Sequence, residues 1–329
     1  MKEEKIKLLA QVAYMHFVEG KSQSEIGKEL GIYRTTISRM VKQARDEGIV
    51  EIKINHFDTI LYSLERHLKE VYGLKYIKIV ANNESDTEEM KDEALTTEAA
   101  QFLKSKIEPK NIIGLAWGST LGKTIAKMDT RKNSQAIFVP IVGGPSHINS
   151  HYHVNTLVYE LARKFEGTSL FVNATVVQES KELQEGISRS HYFSDLHDYW
   201  QRLDVAIVGI GGSLYAKESQ WRDLLGPADY EDLKLREAVG DCCCRFFDGE
   251  GKVLKGHLYD RTIGMNLDQL KKVPIGIGIA RSKKKARGIL AMLKKGFINT
   301  LVTDEETALE VLKLAKDPFY SKYFNLNND

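Results

Sequence analysis

The sequence predicts an α/β chain in two parts. Residues 1–55 read as an N-terminal winged helix-turn-helix module, and residues 56–329 as a large doubly wound, mostly parallel-sheet domain that begins with a linker helix over 59–72. Three observations predict this. Ser22–Arg45, SQSEIGKELGIYRTTISRMVKQAR, reads as two short helices joined by a glycine turn. Beyond about residue 74, runs of Ile, Val and Leu without polar alternation are each followed by a helical pattern, the mark of strands buried on both faces. Three of those runs end in glycine-rich loops, where a doubly wound sheet opens its crevice.

In the first module, Leu8–Phe17 supplies a leading helix. Ser22 caps the next helix with Glu25 at the capping-box spacing, and Ile26 and Leu30 share a face. Gly31 ends that helix. A second helix starts near Arg34 and turns Ile37, Met40, Val41 and Ala44 towards a core. Its opposite face carries Arg34, Thr35, Thr36, Ser38, Arg39 and Lys42, with Arg45 following and no acid from Tyr33 to Arg45. Such a surface suits duplex DNA, with Arg39 placed to read bases and Lys42 and Arg45 to meet phosphates. Two amphipathic helices and a glycine also occur in proteins that bind no nucleic acid. The tail EGIVEIKI favours the winged reading by predicting a strand over Val50–Ile54. Thr59–Tyr72 then forms a helix with Ile60, Leu64, Leu68 and Val71 on one stripe, packed on the large domain, on a partner chain, or on both.

Composition sets the bounds. A chain of 329 residues with 42% hydrophobic and 28% charged residues can bury a sizeable core in two domains. The net charge of +2 excludes a protein basic all over, yet a local basic face suffices for nucleic acid. MKEEKIKLLAQV is already amphipathic and no window reaches 18 uncharged apolar residues, so a cytoplasmic protein without membrane contact is expected. The three cysteines, Cys242, Cys243 and Cys244, are contiguous and odd in number, which makes no disulfide framework. In a strand Cys242 and Cys244 would share a face; buried structural thiols are expected, with no metal and no cofactor.

In the large domain Leu74–Val80 is the first strand, and the acidic NNESDTEEMKDEA that follows reads as a solvated loop and helix start. Leu95–Lys106 is a helix. Strands are expected at Asn111–Ala116, Ala136–Pro140, Ser169–Val172, Val205–Val208, Val273–Ala280 and Thr300–Val302, with helices at Leu121–Met128, Val154–Phe165 and Lys284–Lys294. Val239–Lys255 breaks this rhythm with a hairpin-like turn around Asp248 and Gly249.

The first glycine loop, Trp117-Gly118-Ser119-Thr120, runs from a strand into a helix. Its free amides and hydroxyls face one point, a cradle for phosphate or carboxylate, although the full P-loop spacing is absent. The second, Pro140-Ile-Val-Gly-Gly-Pro145, is followed by SHINSHYHVN, in which Ser146, His147, Asn149 and Asn155 offer donors to hydroxyls. His147, His151 and His153 lack a carboxylate or cysteine to complete a metal site. The third loop, Gly209-Ile-Gly-Gly-Ser213, does not match the dinucleotide fingerprint. A late run, RSKKKARGILAMLKKG, carries Arg281, Lys283, Lys284, Lys285, Arg287, Lys294 and Lys295 without an acid. Most of it reads as solvated helix surface, with one cation able to reach the crevice.

Taken in order, SQSEIGKELGIYRTTISRMVKQARDEGIVEIKI, WGSTLGKTI, VPIVGG, LDVAIVGIGG, GDCCCRFFDGEG and GFINTLVTDEETALEVL resemble the SorC/DeoR-like family of bacterial sugar-sensing transcriptional regulators. The resemblance covers nearly the whole chain. It implies an effector domain similar to sugar-phosphate isomerases and deaminases, a phosphorylated sugar as allosteric effector, and a homodimer or homotetramer on double-stranded operator DNA. Gly118, Ser119 and Thr120 match the family's phosphate loop, Gly143 and Gly144 the loop bordering the sugar, and Gly209, Gly211 and Gly212 the third crevice loop. Asp241 keeps its place, and Lys285 matches a lysine that follows a glycine pair, here replaced by Arg281 and Ser282. Tyr33 stands where the family starts its recognition helix with a serine cap, so the cap either shifts to Thr35 or is lost at a cost of roughly 1 kcal/mol in helix stability. The expected function is a DNA-binding regulator of carbohydrate metabolism controlled by a phosphorylated sugar, with repression as the expected sign and no catalytic residue. The alternatives are a sugar-phosphate isomerase or deaminase using Asp204, Asp241, Glu185 or His147, and a regulator that no longer senses a small ligand.

Overall fold

A computed structural model describes residues 2–52, 58–83, 85–131, 134–145, 150–212 and 225–326. The chain divides into two compact units, Met1–Thr59 and Ile60–Asp329.

The first unit is three helices, α1 (Lys2–Phe17), α2 (Gln23–Leu30) and α3 (Arg34–Asp46). At the start of α2 the Ser22 hydroxyl accepts from the Glu25 amide at 3.3 Å, and the Glu25 carboxylate accepts from the Ser22 amide at 2.8 Å. Gly31 ends the helix at φ 67°, in the left-handed region that side chains resist. Val12, Met15, Ile26, Ile37 and Val41 close the core, with Met40 half-buried at its rim. Tyr33 caps α3 with no side-chain hydrogen bond, so the cap is lost, not moved to Thr35.

The wing strand expected at Val50–Ile54 is not formed where it is described. Val50–Ile52 is irregular, and the amides of Ile49 and Val50 both turn back to the Ala44 carbonyl at 2.9 and 3.1 Å. An alternating pattern makes a strand only where a second strand meets it, and among the described residues none does. Lys53 and Ile54 lie outside the described residues, with Asn55, His56 and Phe57.

The second unit opens with α4 (Thr59–Tyr72), followed by β1 (Tyr76–Val80), α5 (Glu88–Lys106), β2 (Ile112–Leu115), α6 (Ser119–Lys127) and β3 (Ile137–Pro140). Next come α7 (Val154–Phe165), β4 (Thr168–Ser169), α8 (Lys181–Ser188), α9 (His191–Gln201), β5 (Val205–Gly209) and α10 (Pro227–Leu235). A hairpin of β6 (Gly240–Cys242) and β7 (Arg245–Phe247) precedes the short helices α11 (His257–Asp260) and α12 (Leu267–Leu270). The unit ends with β8 (Ile275–Ile279), α13 (Ala286–Lys295), β9 (Thr300–Asp304), α14 (Glu305–Leu314) and α15 (Phe319–Leu326).

Seven strands form one parallel sheet in the order β1-β9-β8-β5-β2-β3-β4. From β2 the chain winds outward through β3 and β4, then returns to lay β5 on the other side of β2 and winds the opposite way. The direction of winding therefore reverses between β2 and β5, where such sheets hold their ligands. All five residues of β9 and four of five in β5 are buried, which is why these stretches show no polar alternation.

Helix α4 packs within this unit. Leu64 and Leu68 are fully buried with Ile79, Ala308, Leu312 and Tyr323, and the Glu65 carboxylate accepts from the Ile79 amide at 2.8 Å. Val71, expected on the same stripe, is half exposed. The excursion after Val239 makes the hairpin-like turn expected around Asp248 and Gly249, with Phe247 bridging Val253 antiparallel, and adds a tighter one before it. Its tight turn is Cys243-Cys244, both at positive φ (53° and 57°), between β6 and β7. Asp248 closes a second loop, accepting from Gly251 at 2.9 Å and donating to Lys252 at 3.1 Å. The cysteines thus do not alternate along a strand, and all three are buried and free.

Candidate ligand crevice and nucleic-acid face

At the carboxyl ends of β2, β5 and β8 lies a crevice of about 740 Å³. One wall is the start of α6. Gly118, its N-cap, sits at φ 131° and offers no side-chain cap, so the first amides of the helix, at Ser119, Thr120 and Leu121, border the crevice without a helical partner. Those amides and the helix dipole favour an anion there. Trp117 is fixed beside them by its indole N–H, which donates to the Gly143 carbonyl at 3.1 Å.

A second wall is the loop after β5. The Gly211 amide donates to the Asp241 carbonyl at 2.8 Å, and a Cβ on Gly211 would collide with the Asp241 carboxylate. A Cβ on Gly212 would lie 2.9 Å from the Lys284 carbonyl oxygen. Gly209 also lines the crevice. The missing side chains let β5, β6 and the loop after β8 converge, and Asp241, 4% exposed, is brought to the wall.

The third wall is the loop after β8. Lys285 is half-buried just before α13, and its ammonium makes no ion pair or hydrogen bond among the described residues. Burial pulls its pKa below that of an ordinary lysine, against the opposite pull of Asp241 and Asp92. Arg281 is 6% exposed. Its guanidinium donates to the Glu88 carboxylate at 2.7 and 3.0 Å, lies 3.2 Å from Asp92, and presents Nε 3.4 Å from Asp304. Ser282 follows at φ 104° and ψ 136°, outside the comfortable range of a side-chain-bearing residue. Its amide donates to the Thr307 hydroxyl at 2.7 Å. Beside it Glu306 accepts from Lys283 and Lys91 at 2.8 and 2.7 Å, and these two bonds hold its carboxyl down to about 2.

The structure thus gathers Gly118, Ser119, Thr120, Gly209, Gly211, Gly212, Asp241 and Lys285 around one space. It does not place Gly143, Gly144 or Asn155 among the residues lining it. Gly143 and Gly144 hydrogen-bond through their amides to Ile263 and Ala174, and a Cβ on Gly143 would lie 2.6 Å from the Thr175 carbonyl oxygen. Close packing is what those glycines permit. Asn155 spends its amide on Val172, donating and accepting at 2.9 Å. Ser146, His147, Asn149 and Ser213 lie outside the described residues.

Glu88, Asp92 and Glu306 line the crevice but were not expected there. The acidic segment reads as solvated because its partner Arg281 lies 193 residues from Glu88. The basic run is likewise divided: Arg281 and Lys283–Lys285 border the crevice, whereas Lys294 pairs with Glu250 at 3.1 Å on the surface.

The thiols of Cys242 and Cys244 are pushed up, the first by its hydrogen bond with Cys243 and by burial, the second by burial. Both are protonated and poor metal ligands, and the described residues hold no cluster of three or more metal-ligating side chains. Of the nominal catalytic residues, Asp204 accepts from the Ile112 amide at 2.8 Å at the opposite, amino end of the strands. Glu185 pairs with Arg189 on the surface of α8 at 2.8 Å. Of those described, only Asp241 reaches the crevice; His147 lies outside the described residues.

In the first unit Arg34, Thr35, Thr36, Ser38, Arg39, Lys42 and Arg45 are all exposed along α3, opposite buried Ile37, Val41 and Ala44. No ion pair ties these four cations among the described residues. No helix of the described residues is long and apolar enough to cross a membrane.

Residues 59–313 match the family described as "Putative sugar-binding domain". The sorbitol operon regulator of Klebsiella pneumoniae is 36% identical over 310 residues, spanning 94% of this chain and 98% of that protein. The deoxyribonucleoside regulator of Bacillus subtilis is 25% identical over a similar span, 94% and 98%. Among solved structures, a transcriptional regulator from Streptococcus pneumoniae superposes with TM-score 0.76 at 40% identity, over 80% of this chain and all of that one. Full-length SorC from Klebsiella pneumoniae gives 0.74 at 35%, over 93% and 98%. A parallel-sheet crevice at a switch point, an exposed basic helix and relatives matched over nearly their whole length leave one conclusion: the chain belongs to the SorC/DeoR-like family of sugar-responsive transcriptional regulators.

Proposed function

We propose that the crevice takes a phosphorylated sugar, and that its occupancy sets the affinity of α3 for operator DNA in a regulator of carbohydrate metabolism. The observation that carries this reading is that the uncapped start of α6 and the unpaired Lys285 border the same crevice. An anion settles at those two groups, while Asp241 accepts from sugar hydroxyls and the glycine walls admit the ring closely. In α3, Arg39 reads base edges, Lys42 and Arg45 meet phosphates, and Arg34, Thr35, Thr36 and Ser38 complete the face. One short helix reads few base pairs, so two or four copies act together on a two-fold operator. Repression is the proposed sign.

The test is fluorescence anisotropy of the full chain on its operator, titrated with hexose and pentose phosphates and with the same sugars unphosphorylated. At least one phosphate is expected to shift DNA affinity several-fold, about 1–3 kcal/mol of coupling, without being consumed. Thr120→Phe should abolish that shift and leave unliganded DNA binding intact. A panel without effect, or full retention of ligand affinity by the Thr120 variant, removes the crevice reading.

A further inference from the structure

Resting on that reading, we infer that Glu88 is a resident counter-ion of the crevice which an incoming anion displaces, so that the Glu88–Arg281 pair sets the preference for phosphorylated over neutral sugars. Three carboxylates surround the Arg281 guanidinium, and they differ in what it costs to move them. Asp304 is 1% exposed and caps α14 by accepting from the Thr307 amide at 3.0 Å, so it stays. Asp92 is 42% exposed and shared with Lys123 at 3.4 Å. Glu88 is 76% exposed, takes both terminal guanidinium nitrogens through one oxygen, and needs only a side-chain rotation to reach water.

The charges lining the crevice balance. Glu88, Asp92, Asp241 and Glu306 stand against Arg281, Lys283, Lys284 and Lys285. A ligand phosphate upsets this balance unless a carboxylate leaves, and Glu88 is the most exposed of the four, its second oxygen 3.7 Å from the Lys91 ammonium. Arg281 is itself committed: it is buried, and its Nε has no hydrogen-bond partner although Asp304 lies 3.4 Å away. Its terminal nitrogens are therefore what it has to offer a ligand. Exchange of one anion for another at those nitrogens keeps the buried guanidinium neutralised throughout. A neutral sugar supplies no replacement charge and leaves the pair closed.

The experiment is calorimetric and thermal-shift titration of full-length wild type, Glu88→Gln and Arg281→Lys with inorganic phosphate and with the sugar-phosphate panel, each beside its unphosphorylated sugar. Glu88→Gln should bind the phosphate-bearing probes about fivefold more tightly, with no change for neutral sugars. Arg281→Lys, which keeps the charge but loses the fork, should narrow the discrimination between the two kinds. Equal tightening for neutral sugars would mean that Glu88 acts sterically and would overturn the inference. So would an unchanged or weaker phosphate affinity in Glu88→Gln when wild type binds phosphate and Thr120→Phe does not; the reading of the crevice would then stand without it. Wild type that binds neither phosphate nor any phosphorylated sugar overturns both.

Discussion

Ser282 adopts a backbone conformation, φ 104° and ψ 136°, that crowds any Cβ, and two hydrogen bonds hold it there. Its amide donates to Thr307 at 2.7 Å, and its hydroxyl accepts from the Lys284 amide at 3.3 Å. Strain of this kind costs about 1–3 kcal/mol, and glycine removes it while adding about 0.5–1 kcal/mol of unfolded-chain entropy. Both Ser282→Gly and Ser282→Ala lose the hydroxyl that accepts from the Lys284 amide, about 1 kcal/mol. The glycine variant also sheds the strain and should lie within about 1 kcal/mol of wild type, whereas the alanine variant keeps the strain and should be the less stable of the two. Urea denaturation of the pair decides it: a glycine variant less stable than the alanine variant would show that the backbone here is not strained. That a serine stands where the family pattern has glycine was legible from the sequence. Its consequence was not, because φ at one residue depends on the Thr307 hydroxyl 25 positions away. Glu88 was hidden for the same reason. Exposed acid at a helix start is ordinary, and nothing local marks the arginine that selects it.

Helix α3 shows what periodicity conveys well. Its buried and exposed faces separate as the 3.6-residue repeat demands, and its basic face is free of ion pairs among the described residues. Lys42→Ala should weaken binding to all duplexes alike and lower the salt slope by about 1, while Arg39→Ala should cost about 1–3 kcal/mol on the operator alone. Binding measured against salt on operator and scrambled DNA separates them; identical behaviour of the two variants would remove Arg39 from base reading. Long apolar strands were equally legible: β5 and β9 are buried from both faces and cannot alternate. Shorter elements were not. The run at Val50–Ile52 alternates without a partner strand among the described residues, and the β6–β7 turn falls on two cysteines, neither a residue that left-handed turns favour. Gly143 and Gly144 look like a ligand loop in sequence, yet a glycine that admits a sugar and one that admits a neighbouring backbone are spelled alike.

At the scale of the whole molecule, each unit has its own apolar core, and ion pairs knit the larger one across distant segments. Glu306 joins α14 to Lys91 of α5 and to Lys283 after β8. Its carboxyl, lowered to about 2 by those two hydrogen bonds, titrates below its ordinary value of 4.5. Because the folded pKa is the lower one, the stabilisation is fully present above about pH 4.5 and is lost as pH falls towards 2. Glu306→Gln should flatten that acid limb and leave the dependence above pH 5 unchanged, as followed by thermal melts from pH 2 to 7. A variant with the wild-type acid limb would show that solvent screens the trio. Salt at 1 M should shrink the difference, since Glu306 and Lys283 are partly exposed.

Much of the crevice is wall without side chains: Gly118, Gly209, Gly211 and Gly212 present only main chain. Main-chain amides are the same in every relative that keeps the backbone path, so they recognise a shared feature of the ligands and distinguish none of them. If the crevice takes the phosphorylated sugar proposed above, what differs between one ligand and another falls to the few protruding groups, Thr120, Asp241, Lys285 and the Glu88–Arg281 pair. A chain built this way changes its sugar by altering a handful of positions, with the scaffold that grips the common part inherited intact.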